Sequence, residues 1–385
     1  MGVSDERPLP RIATPVLLKA GLALFWARLG SLNALESIST ARFWKRWLGE
    51  PMCSADTIGR VHAQMVTCGL RKGLHQLYVC LKRNKALTGI GGLDVAVLDG
   101  HETHCSYRRH CSGCLTRVIP TEQGERAQYY HRHVTIMLLG EKLRLLLDME
   151  PQRPREGEVT TALRLLDRVL KTYPRAFKVL LADALYAEAP FINFLWSHHK
   201  HVLVVLKDER RDLYQDVSAL FELEQPSKGQ YRSRECLWWD VQDLTSWPQV
   251  VPPIRVVQSR ETFFVRPQAT GQLTQQTSQW MWVTTLSQAS TELIVRLGHA
   301  RWDIENYGFN ELVNAWHADH VYKHHPRAIE AFCLVVFLAY NLFHAFLTLN
   351  LKPALRYAKT DSFWASAIAS EIYQDAVKFQ AGRPP

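Results

Sequence analysis

Between Leu93 and Leu206 the chain lays out strand, strand, strand, helix, strand, helix, strand, and this order restricts it more than any other feature. The apolar runs 93–98, 130–139, 143–149, 177–182 and 201–206 read as strands. The amphipathic runs 158–172, opened by Glu158-Val159-Thr160, and 188–199 read as helices. Strands joined by short links form an antiparallel meander, whereas strands separated by helices enter a sheet through crossovers. In such a sheet the first and fourth strands are neighbours, roughly 5 Å apart. Asp99 ends LDVAVLD and Asp183 ends VLLAD, so both acids are expected at one end of the sheet, within reach of a shared metal ion. Gly100 is expected to let the backbone turn sharply away after Asp99.

The order is that of the ribonuclease H-like fold, a mixed α/β sheet flanked by helices. Around it the sequence divides into an N-terminal helical, DNA-binding domain (1–87), the first part of the catalytic core (88–207), a β-rich insertion (208–290), the C-terminal helices of the core (291–350) and a tail (351–385). Helix starts are expected at Ser39, Ser54 and Asp56, and TGIGG (88–92) reads as a hinge. Arg42, Lys45, Arg46, Arg60, Arg71, Lys72, Lys82, Arg83 and Lys85 give the helical unit a basic surface, for DNA or simply for solvent. In the insertion ECLWWDVQDL, PIRVVQS, ETFFVR and QWMWVTTL read as strands, with a hairpin at Ser259-Arg260 and a polar loop GQLTQQTSQ. Helix returns in TELIVRLGHARWDIENYGFNELVNAW, and Pro326 opens another.

A length of 385 residues with 47% hydrophobic composition supplies a core without covalent staples. Eight cysteines without a secreted spacing pattern, and an N-terminus without a charged-then-apolar layout, fit a reducing cytoplasm. The formal charge of +9, with sixteen histidines besides, suits a polyanionic partner such as DNA. The apolar segment 331–349 is long enough to cross a bilayer, but Asn341 and His344 would be costly in lipid, so a buried helix and no membrane partner are expected.

Three further groups of residues carry chemistry. On a regular helix, at about 100° per residue, Glu305 shares its face with Arg301, Phe309 and Leu312, while Asp303 and Glu311 point away. Arg301 and Glu305 then form either a surface ion pair, or a phosphate holder beside a metal ligand. Trp238 and Trp239 either pack the insertion or stack on a displaced base. In HETHCSYRRHCSGC the pair Cys111 and Cys114, with Cys105 and one of His101, His104 or His110, offers four structural zinc ligands; the set taken forward is Cys105, Cys111, Cys114 and His104. Reduced thiols in a basic loop are the alternative.

LDVAVLDG, VLLADALYAEAPFINFL, VLVVLKDER, WVTTL, RWDIENYGF and LAYNL follow one another between about 93 and 345, with 84 and 122 residues separating the three acids. In this series the chain resembles the DDE transposases of bacterial insertion sequences, in the cut-and-paste branch with a β-rich insertion. The resemblance implies that Asp99, Asp183 and Glu305 are catalytic and hold two Mg²⁺ or Mn²⁺ ions for in-line displacement. It further implies that Arg301, Lys207, Lys323 and an insertion tryptophan, Trp238 or Trp239, contact double-stranded DNA at element ends and target. It points to a homodimer in the DNA complex and a nucleoid-associated protein. Many relatives carry a tyrosine three residues before the arginine and a lysine seven after the glutamate, where this chain has Gly298 and Leu312; His299, Tyr307 and Lys323 are the candidate substitutes. A structure-specific nuclease, or a DNA-binding protein with its chemistry lost, would be the competing functions.

Overall fold

Five helices precede the first strand: α1 (Thr14–Trp26), α2 (Leu32–Ser37), α3 (Arg42–Leu48), α4 (Ala55–His62) and α5 (Thr67–Arg83). This is a computed structural model describing residues 2–122, 124–207, 211–267 and 271–380, with backbone alone for 374–380. The Asp208–Arg210 end of the VLVVLKDER segment and the last five residues of the tail lie outside the described residues. The side chains of Ser31 and Ser54 each accept the amide three residues on and so cap α2 and α4. Ser39 instead lies in the turn before α3, whose cap position is Ala41. The TGIGG segment forms a tight turn, with reciprocal backbone hydrogen bonds between Ile90 and Leu93 and positive φ at Gly91 and Gly92.

The core follows as β1 (Val95–Ser106), β2 (Leu115–Thr121), β3 (Gly124–Leu139), β4 (Leu145–Pro151), α6 (Glu158–Thr172), β5 (Val179–Ala182), α7 (Ala189–Ser197) and β6 (His201–Val205). Next come α8 (Asp212–Leu223), β7 (Ser227–Tyr231), β8 (Arg234–Leu244), β9 (Ile254–Val265) and β10 (Thr274–Thr284). The chain ends with α9 (Thr291–Ala300), a π-helical segment (Ile304–Phe309), α10 (Asn310–Trp316), α11 (Pro326–Leu349), α12 (Pro353–Ala358) and α13 (Asp361–Gln380). All the strands form one sheet in the order β2-β3-β1-β5-β6-β10-β9-β8-β7, with β4 sharing β3's outer edge with β2. The architecture is the ribonuclease H-like mixed sheet flanked by helices. The strands after 208 continue this sheet, because β10 pairs antiparallel with β6.

Four local expectations give way. β1 does not stop at Asp99 but runs on to Ser106 beside β3, and β2 adds a strand to the expected meander. No hairpin interrupts Ser259-Arg260, which lie inside the continuous β9. Most of the expected polar loop 271–279 belongs to β10, paired outward as far as Thr274 with Val265. The β-rich insertion keeps its strands and also contains helix α8.

α11 is the one helix among the described residues long and apolar enough to cross a membrane. Here it is packed against α1, α5 and β4, and its inward face merges with the N-terminal helices into one apolar core. Asn341, fully buried, explains the polar break in this helix. Its Oδ1 accepts the Leu146 amide at 2.9 Å and its Nδ2 donates to the Leu146 carbonyl at 2.8 Å, beside the irregularity where β4 slips against β3. A second bridge joins α5 to the core: Arg71 pairs with buried Asp148 at 2.9 Å and with Glu330 of α11 at 2.7 Å. Arg168 holds the other Asp148 oxygen at 2.7 Å. Replacing Asn341 with Leu strands two buried backbone groups and is expected to lower unfolding free energy by about 3 kcal/mol, measured as a shift in urea midpoint at unchanged m-value.

Candidate active site

Asp99 occupies the place where β1 outruns its parallel neighbour. The β1–β5 register pairs Val95 with Val179, Ala96 with Leu180 and Val97 with Leu181; two residues further along lie Asp99 and Asp183. With a side-chain period of two, both acids fall on the face of Val95, Val97, Val179 and Leu181. β5 ends at Ala182, and Asp183 caps a 3₁₀ turn by accepting the Leu185 amide at 2.9 Å. Gly100 makes no turn: it remains in β1, and a Cβ there would come within 2.4–2.5 Å of the Glu158 carboxylate. The glycine leaves room for the Glu158 carboxylate, which a side chain at 100 would displace.

Glu158, at the first turn of α6, is a carboxylate the sequence presented only as a helix start. It receives Tyr186 Oη–H at 2.8 Å and Arg132 at 3.3 Å, and it lies on the opposite face of β1 from Asp99. An acid at a helix N-terminus is favoured by the helix dipole alone, so nothing in the sequence distinguished its position beside the acid pair.

Helix α9 and the π-helical segment cover the Asp99 face. Arg301, 5% exposed, reaches Asp99 at 3.3 Å and Glu305 at 2.9 Å with the same nitrogen. The expected (i, i+4) pair therefore forms, inside the site instead of on the surface. The wider helix turns Glu305 away from Phe309 and Leu312, which are buried in the core while Glu305 stays partly exposed; a π segment displaces every later residue from the regular α register. Asp303 pairs with Arg144 at 2.8 Å and Glu311 with His344 at 2.8 Å, both away from the acids.

Burial pushes the Asp99 carboxyl up to about 7. Arg301 and the Gly100 amide pull against that rise, while the charges of Asp183 and Glu305 add to it. Two carboxylates, Asp99 and Glu305, thus meet a single guanidinium, with the charge of Asp183 acting on the first. A set of carboxylate oxygens with negative charge to spare fits hard divalent cations such as Mg²⁺ or Mn²⁺.

Residues 95–342 match the transposase DDE domain family. The chain belongs to this family. No curated protein matches the chain. In the transposase, the other residues singled out from the sequence separate into available and committed groups. Lys207 is exposed two residues past the end of β6, and Lys323 is partly exposed, 3.9 Å from Asp56. Trp238 and Trp239 are each only 8% exposed, and the Trp238 ring lies against Gly229, so packing takes both and neither presents a face to a base. Trp302 is an exposed aromatic beside Arg301, its ring 4.4 Å from the guanidinium.

A side chain at Gly298, where many relatives have tyrosine, would collide with Trp282, whose ring atoms lie 2.3–2.7 Å from the position of its Cβ. Leu312, at the lysine position, is buried. His299 is held by buried Glu261 at 2.6 Å and stacked on Tyr231, while Tyr307 lies under Arg144 at 3.8 Å; Lys323 is the least committed of the three suggested substitutes.

The zinc set also regroups. Cys105 is exposed and its thiol donates to Glu102 at 3.3 Å, and His104 turns Nδ1 to the Asp319 carbonyl at 2.7 Å. Cys111 and Cys114 do come together, but with His131 and His324.

Because burial raises the Asp99 carboxyl to about 7, the folded state binds a proton more tightly than the unfolded chain does. Its carboxyl therefore costs stability progressively as pH rises from about 4 to about 7. Without divalent metal, Asp99→Asn is expected to stabilise the transposase by about 1–2 kcal/mol at pH 8 and by little at pH 4.5, as measured by urea unfolding at the two pH values.

Proposed function

We propose that this transposase is of the cut-and-paste kind carried by bacterial insertion sequences: it binds double-stranded DNA at the ends of its element, cleaves there and joins the ends to target DNA. The observation that carries the reading is the convergence of Asp99, Asp183 and Glu305 on one sheet face, with too little positive charge to balance them. These three side chains would hold two Mg²⁺ or Mn²⁺ ions. Such ions, when bound, activate water or a DNA 3′-hydroxyl and stabilise the leaving oxygen.

The remaining groups supply position. Arg301, clamped between Asp99 and Glu305, holds the two acids in fixed relation and offers a cation to the scissile phosphate. Lys207, exposed just past β6, and Lys323, partly exposed beside Asp56 of α4, would contact the DNA backbone, and Trp302 would offer an exposed ring to an unpaired base. On the N-terminal helices Arg42, Lys45, Lys72, Arg83 and Lys85 are exposed and suited to the DNA backbone. Arg71 is committed to Asp148 and leaves that set. Joining two element ends in one complex calls for a homodimer.

Asp99→Ala, Asp183→Ala and Glu305→Ala are each expected to abolish metal-dependent cleavage and strand transfer on element-end DNA while leaving DNA binding within a few-fold of wild type. Full activity in any of the three would remove that residue from the site. Cleavage without joining by the wild-type protein, on paired element ends and target, would replace the transposase reading with that of a nuclease.

A further inference from the structure

The β1–β2 loop carries a second group of chemistry-bearing side chains with no part in the acid site. Cys111 and Cys114 Sγ lie 3.7 Å apart. His131 Nε2 is 3.4 Å from the first sulfur and 3.3 Å from the second, and His324 Nε2 is 3.4 Å from Cys114 Sγ. All four ligand atoms lie within 4.8 Å of one another.

Hydrogen bonding alone accounts poorly for this arrangement. Cys114 Sγ lies against the other thiol and two imidazole nitrogens and also accepts the Cys111 amide at 3.2 Å, more partners than one weakly bonding thiol satisfies. These four separations are instead close to those around a tetrahedral zinc ion. Zn–S bonds of about 2.3 Å and Zn–N bonds of about 2.0–2.1 Å set sulfurs about 3.8 Å apart, and sulfur and nitrogen about 3.6 Å apart. Cys114 and His131 are buried, at 9% and 8% exposure, so the pocket is enclosed. Gly113, between the cysteines, has the Pro326 ring 3.1 Å from where its Cβ would be and His131 at 3.5 Å. A side chain there would crowd both the ligand and the start of α11.

We infer that Cys111, Cys114, His131 and His324 form a structural Zn²⁺ site. The two thiols release their protons to solvent on binding, and the imidazoles bind as neutral Nε2 donors. With four protein ligands the coordination shell is closed, so the ion is structural and stands apart from the acid site. It ties the β1–β2 loop and β3 to the segment between α10 and α11, which follows directly on the helices carrying Glu305. One cross-link thus joins β3 and the loop that follows the Asp99 strand to the segment leading away from Glu305.

Metal analysis of the full-length protein, purified from zinc-supplemented cells and dialysed, is expected to give one zinc per chain. The same content is expected in Cys105→Ser and Asp99→Ala, with a fall to background in Cys114→Ser and a marked loss in His324→Ala. Replacement by Co²⁺ in the wild-type protein should produce tetrahedral ligand-field bands with thiolate-to-cobalt charge transfer, a readout that needs no variant to fold. Folded wild-type protein that neither retains zinc nor takes up Co²⁺ in this geometry would overturn the site, as would unchanged zinc in His324→Ala. Because Asp99→Ala tests the acid site separately, failure here leaves the proposed catalytic reading intact.

Discussion

Parallel pairing of β1 with β5 is the constraint on which the site depends. It fixes the register of two strands far apart in sequence, so that Asp99 and Asp183 emerge side by side on one face. A slip of one residue would send one acid to the opposite face, against α6. The register is held from both sides: β3 pairs with β1 along almost its whole length, and β6 pairs with β5 residue for residue. The helices over the acid face then bring Arg301 and Glu305 onto a framework already set by backbone hydrogen bonds.

That framework supports an unfavourable concentration of charge. A buried carboxyl raised to about 7 persists only where the surrounding packing supplies the missing stability. Arg301 relieves part of the repulsion, and Asp183 and Glu305, both partly exposed, keep contact with solvent that screens the rest. Elsewhere charge is matched closely: Arg71 and Arg168 take one oxygen each of Asp148, and Glu150 is met by Arg164 and Arg168. The contrast separates balanced structural ion pairs from the unbalanced carboxylates around Asp99.

The order of the core elements was legible because short apolar strands and amphipathic helices have different periods, and α6 begins and ends where its pattern does. Ser259-Arg260 misled, since polar residues in a strand centre look like a turn. In the fold Ser259 and the neighbouring Glu261 are buried, and Glu261 is satisfied by Ser259, Arg234 and His299. The π-helical segment was equally hidden, because the apolar spacing of Ile304 and Phe309 does not reveal one extra residue in a turn. Cys111 and Cys114 were visible as a pair, but their companions His131 and His324 are 17 and 210 residues from Cys114 and are joined to it only by folding.

The hydrogen bonds of Asn341 to Leu146 have a consequence for synthesis. The β4 strand leaves the ribosome long before α11, with a span of 195 residues between the two partners. Until residue 341 emerges, the amide and carbonyl of Leu146 have only water to meet them, and α11 is not in place to close the core. A nascent chain short of α11 therefore carries both aspartates and Glu305 while the face of β4 that α11 covers is still open to water.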